Sequence, residues 1–177
     1  MTAVFVHGVP ETPAVWNGLL AAVGRPDSVA LPLPGFEWHD FAKIWQTPQA
    51  GEEFWDQQLA APAQERAGVF QAFGVPAEPA LDLASQLSLT MAHCILDLYR
   101  SAVDVGSQWG PDFAAIPAPG LVIIPGEDPF LSAASAARAA ARAGARTVAL
   151  DGLGHWWMLQ DPARTAAILR EFWATQA

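Results

Sequence analysis

Basic residues are scarce in this chain. Eighteen acidic side chains stand against nine basic ones, eight arginines and the single Lys43, for a formal charge of −9. Such a surface repels nucleic acid phosphates and anionic membranes, so neither is an expected partner. Cysteine occurs once, at Cys94, which excludes an internal disulfide and suits a reducing compartment. With only His93 beside it as a basic neighbour, the thiol is expected to pack on a helix rather than to react. No apolar run approaches the roughly 20 residues that a membrane helix needs, and no charged and apolar leader precedes the first strand pattern. A cytoplasmic protein is the expectation. The four histidines, His7, His39, His93 and His155, show no ligand spacing and the acids are scattered, so neither a metal nor another cofactor is expected. What is abundant is apolar: 52% of 177 residues. That suffices for one sizeable core, and no compositional break calls for a second independent domain.

The pattern is that of an α/β framework interrupted by a helical insertion. Residues 3–6 form a short apolar run, and Val15, Trp16, Leu19, Leu20 and Val23 follow at helical spacing until Gly24, which makes one strand-helix unit. Ser28 to Leu33 reads as a second strand, closed by Pro32, Pro34 and Gly35. From residue 37 to 110 the strand signal is gone. Trp45, Trp55, Phe70, Leu87, Ile95 and Tyr99 recur there at helical intervals between prolines, as in a lid of several helices. The framework resumes with the continuous apolar run Leu121 to Ile124, bracketed by Pro-Gly on both sides, a buried parallel strand. Ser132 caps an alanine-rich helix that Gly144 ends; Arg146 to Leu150 is a fourth strand; Asp161-Pro162 opens the last helix. Strands alternating with helices imply a parallel sheet, here with domains 1–36 plus 111–177 as core and 37–110 as lid.

Three short segments carry chemistry. His7-Gly8-Val9 follows the first strand, where free backbone N–H groups could hold a developing oxyanion, although a plain turn also needs glycine. Glu127-Asp128-Pro129 follows the third strand, at the edge where α/β folds place functional groups; a helix-capping acid is the simpler alternative. His155 lies in a loop after the fourth strand, between Gly154 and the tryptophans 156 and 157. It suits a general base and equally a buried structural imidazole.

Taken together, FVHGVPETPAVW, LVIIPGEDPF and LDGLGHWWMLQDP resemble three stations of the α/β-hydrolase superfamily, in the branch of epoxide hydrolases and haloalkane dehalogenases. The resemblance covers nearly the whole chain in the family's order. It implies an α/β-hydrolase fold with a short parallel sheet, flanking helices and a helical cap. It further implies Asp128 as the catalytic acid, His155 as the catalytic histidine, and His7, Gly8 and Val9 as the oxyanion turn, with Trp156 and the cap tyrosine Tyr99 at the substrate. A small apolar ester or epoxide is the implied substrate. Val9 stands where a dehalogenase would want a halide-binding asparagine, which argues against dehalogenation. For the only tyrosine, Tyr99, an aromatic on a buried helical face is the simpler role.

The family's centre, a nucleophile on a G-x-S-x-G elbow, has no counterpart. No G-x-S-x-G, G-x-D-x-G or G-x-C-x-G occurs, and the glycine-spaced Gly106-Ser107-Gln108-Trp109-Gly110 carries glutamine at its centre. A deletion near Gly35 to Glu37 accounts for the short chain and the missing motif together, and predicts a weak or lost activity. The alternatives are a non-catalytic remnant that binds a small apolar molecule or a like chain as a homodimer, and a deletion product without evolved function. Loss of the elbow strand also predicts that Val4 to Val6 pairs directly with Leu121 to Ile124 in one four-stranded sheet, ordered 28–33, 3–6, 121–124, 146–150.

Overall fold

The computed structural model describes residues 3–6, 13–31, 39–104, 108 and 117–176. Strand β1 (Ala3–Val6) pairs in parallel with β2 (Ser28–Leu31), and β3 (Leu121–Pro125) pairs in parallel with β4 (Arg146–Leu150). Each pair is joined by the crossover that parallel pairing demands. Between β1 and β2 run a 3-10 turn, Pro13–Trp16, and helix α1, Asn17–Val23, stopped by Gly24 at φ +65°. Ser132, whose hydroxyl accepts from the Ser135 N–H, opens the helix between β3 and β4, and Gly144 at φ +63° closes it. Both glycines occupy the left-handed conformation that ends a helix without a Cβ penalty.

Between the two strand pairs, the described residues include the helices α2 (His39–Gln46), α3 (Ala50–Ala60), α4 (Ala63–Ala72), α5 (Ala77–Gln86) and α6 (Leu89–Ser101). The helix Ala133–Ala143 is α7, a short turn Trp157–Gln160 is α8, and α9 runs Pro162–Ala174 behind an Asp161 cap whose side chain accepts from the Arg164 N–H. The sequence signals for these starts and stops thus agree with the fold.

Two apolar clusters hold the chain. One joins Val15, Trp16 and Leu19 around α1 to Phe70, Leu83, Ala84, Trp156 and Ala166, so the helical block packs directly on the framework. The other lies inside the block and gathers Trp45, Trp55, Ala92, Ile95, Leu96 and Tyr99. Polar stitches reinforce them. Arg100 forks onto Glu52 with two contacts of 2.8 Å and donates to the Trp45 carbonyl at 3.2 Å, while Arg66 donates from Nη1 to Ala61 O at 2.8 Å and from Nη2 to Ala84 O at 2.9 Å. Glu52 is held at a pKa of about 2, chiefly by the hydrogen bond from Arg100.

Two expectations are corrected. Cys94 is exposed, because the face of α6 that packs is that of Ala92, Ile95, Leu96 and Tyr99, and residue 94 falls outside that stripe. The single four-stranded sheet does not form either: among the described residues there are two separate two-stranded sheets, β1-β2 and β3-β4. The two halves are joined through helices instead. Helix α1 packs against α9, with Arg170 Nη1 donating to the Ala22 carbonyl and the Arg25 guanidinium 4.7 Å over the Trp173 ring.

Candidate active site

The β3-β4 register delivers the two functional groups to one place. Pro125 is opposite Leu150 at the end of the ladder. Beyond it the two loops stay zipped, Gly126 N–H donating to Leu150 O and Glu127 N–H to Leu153 O, both at 3.0 Å. Asp128 and His155 follow immediately, so their meeting comes from backbone hydrogen bonds that continue the sheet. Gly152 turns the second loop at φ +77°. Gly154 is packed so closely that a Cβ there would sit 3.3 Å from the Glu127 carbonyl.

Asp128 Oδ2 and His155 Nδ1 are 3.0 Å apart. The carboxylate side chain is only 4% exposed and the imidazole 27%. Asp128 Oδ1 accepts from the N–H groups of Phe130 at 2.8 Å and Leu131 at 3.1 Å. Burial on its own would raise the Asp128 pKa, but the hydrogen bonds from His155, Phe130 and Leu131 outweigh it and hold the group below its ordinary value. An ionised carboxylate only accepts hydrogen bonds. The proton of a neutral His155 therefore sits on Nδ1, and Nε2 carries the basic lone pair.

Aromatic rings frame the imidazole. Phe130 meets it edge-on at 5.1 Å and 85°, and Trp156 at 5.0 Å and 82°. Trp156 is itself 1% exposed and is braced by Phe70 and Phe73 of the helical block. It also lines a cavity of about 150 Å³ enclosed chiefly by Phe41, Trp45, Phe54 and Trp55. Gln160 ties the histidine loop to the block, accepting from the Gly154 N–H at 2.7 Å and donating to the Gly74 carbonyl at 2.9 Å.

Of the residues singled out in the sequence, the structure thus brings Asp128, His155 and Trp156 together. Tyr99 is buried in the second cluster, its ring 4.8 Å from that of Trp45, and does not line the cavity. His7, Gly8 and Val9 lie outside the described residues, as do residues 35–37, where a deletion is expected from the sequence, and most of Gly106 to Gly110. Among the described residues no group of three or more His, Cys, Asp and Glu is placed to hold a metal ion, and no helix is long and apolar enough to cross a membrane. Phe130 and Gln160 were missed. The first had a signal, since an aspartate followed by proline turns back onto the N–H groups two and three residues on; the second had none, since its partner is 86 residues away.

Comparison with known proteins agrees with this fold. A model of the alpha/beta hydrolase family matches residues 40–168. Similar solved structures include E-2-(acetamidomethylene)succinate hydrolase, at 14% identity and a TM-score of 0.55 over 98% of this chain and 67% of that one. They also include a hydrolase from Pseudomonas aeruginosa, at 21% and 0.52 over 88% and 60%, and a haloalkane dehalogenase from Bradyrhizobium elkani, at 14% and 0.51 over 98% and 91%. No curated protein matches the sequence. The family match over most of the chain, the parallel strand pairs and an acid-histidine contact at the end of β3 and β4 lead to one assignment: this chain belongs to the α/β-hydrolase family.

Proposed function

We propose that the chain retains the acid-base half of a hydrolase and acts, weakly, on a small apolar ester or epoxide bound beneath a helical cap. The observation that carries this reading is the 3.0 Å contact between the buried Asp128 carboxylate and His155 Nδ1. The carboxylate fixes the tautomer and steadies the imidazolium that forms when Nε2 takes a proton. Nε2 then serves as general base toward a water or hydroxyl, and returns the proton to the leaving oxygen. The partly exposed edge of His155 gives solvent access, and the buried rings of Phe130 and Trp156 offer an apolar surface beside it. The activities named for similar structures, on an acetamidomethylene succinate and on haloalkanes, differ from one another, so the substrate class rests on the apolar surroundings.

Low activity follows from the sequence, which has no nucleophile elbow. A triad stripped of its nucleophile keeps about 10³ to 10⁴-fold acceleration over water, from binding and the oxyanion hole, and His155 acting as general base toward water adds to that floor. Turnover of p-nitrophenyl esters and of styrene oxide should be slow and should fall further in His155→Ala. Equal rates in the two proteins sink the proposal. Stoichiometric labelling of one serine by a fluorophosphonate, abolished in His155→Ala, would instead show a recruited nucleophile and overturn the low-activity reading.

A further inference from the structure

We infer that the helical block holds a ligand site of its own: the cavity beside Trp45 and Trp55 takes a compact, uncharged, largely apolar molecule of benzene to indole size, without recourse to Asp128 or His155. Size sets the first bound. At about 150 Å³ the cavity matches in volume those that admit benzene.

The walls set the second. Phe41 meets Phe54 at 5.7 Å, Phe54 meets Trp55 edge-on at 5.4 Å, and Trp45 stacks on Trp55 at 5.8 Å. Trp45 and Trp55 are 2% and 3% exposed. These rings are fixed by one another and not by a ligand, so the space is formed in advance and binding requires little reordering.

Charge sets the third. Among the described residues Arg66 is the sole charged one on the lining, and its guanidinium is committed to backbone carbonyls: Nε and Nη2 to Ala84 O at 3.2 and 2.9 Å, Nη1 to Ala61 O at 2.8 Å. It has little left for a carboxylate, and no acidic side chain on the wall would receive a cation. Gln58 offers one neutral amide, enough for a single hydroxyl or carbonyl. Access is given by Val69, which lines the cavity and is 50% exposed. Neither Asp128 nor His155 lines it, so this site goes beyond the hydrolytic reading and does not depend on it.

The test is titration of the whole chain with toluene and, in parallel, with benzoate, which has a similar ring and adds a charge. Tryptophan emission and the thermal midpoint are followed. Toluene should saturate, and at tenfold its Kd should raise the midpoint by about 3–6 °C. Benzoate should bind at least tenfold more weakly. Val69→Trp, shown by circular dichroism to be folded, should weaken toluene at least tenfold, and His155→Ala should leave it within twofold. No saturation by toluene overturns the site, benzoate binding as tightly overturns the ligand class, and an unaffected Val69→Trp overturns the location. Loss of binding in His155→Ala would move the ligand to the acid-histidine pair. Failure of turnover with binding intact in His155→Ala touches only the hydrolytic reading.

Discussion

Replacing Asp128 separates two tasks of its carboxylate, bracing the loop and fixing the histidine tautomer. Asp128→Ala removes the acceptor of three hydrogen bonds, from Phe130 at 2.8 Å, Leu131 at 3.1 Å and His155 at 3.0 Å. Bonds to a buried charge are each worth about 1.5–3 kcal/mol. The imidazole is 27% exposed and regains water, so the expected loss is about 3–5 kcal/mol rather than the full sum. Asp128→Asn keeps an oxygen for the two backbone N–H groups and should cost only about 1–2 kcal/mol. Its amide, however, donates toward Nδ1 and drives the proton to Nε2, which removes the base. Any turnover should vanish in Asp128→Asn while the fold survives. The pH dependence gives a second handle. Because the folded-state pKa lies below the unfolded value near 3.8, this stabilisation is fully present above that value and is lost as the pH falls through the lower folded-state one. Urea unfolding followed by tryptophan emission should therefore show a wide gap between wild type and Asp128→Ala at neutral pH that narrows as the pH falls below the unfolded value near 3.8. A neutral-pH gap under about 1 kcal/mol, or one unchanged in acid, would refute the buried hydrogen-bonded carboxylate.

Two substitutions test the helical block by the same urea measurement. A Cβ on Gly51 would lie 2.6 Å from Leu96 Cδ2 and 3.1 Å from the Trp45 carbonyl, and any shift of Leu96, which is 2% exposed, disturbs packed neighbours. Gly51→Ala should thus destabilise by about 1–2 kcal/mol despite the helix-propensity gain of up to about 1 kcal/mol; a neutral or stabilising result means that α3 and α6 are not in this contact. Arg66→Lys keeps the charge but loses the fork onto Ala84 and Ala61, and should cost about 1–3 kcal/mol, with no loss expected if the guanidinium were only a solvated surface group.

Local chemistry was legible wherever one or two residues decide the outcome. Gly24 and Gly144 end helices in the left-handed conformation, and Ser132 and Asp161 begin them through their own side chains. These choices depend on steric limits and hydrogen bonds within four residues. The acid-histidine pair was legible for a related reason. Each residue follows a strand at a fixed short distance, and parallel strands place such ends side by side. The role of Cys94 was misread because one residue's step on a helix, about 100°, decides between burial and solvent.

What the sequence determined by itself was the alternation of strands and helices, the caps, and which two side chains follow β3 and β4. Only the tertiary structure decided that the strands form two separate pairs, that Trp156 stands between the imidazole and an aromatic cavity, and that Gln160 bridges Gly154 to Gly74. The physical reason is range. Caps and turns are fixed by groups already adjacent along the chain, whereas a cavity or a sheet edge is what remains after helices far apart in sequence have packed their apolar faces, and its shape depends on all of them at once.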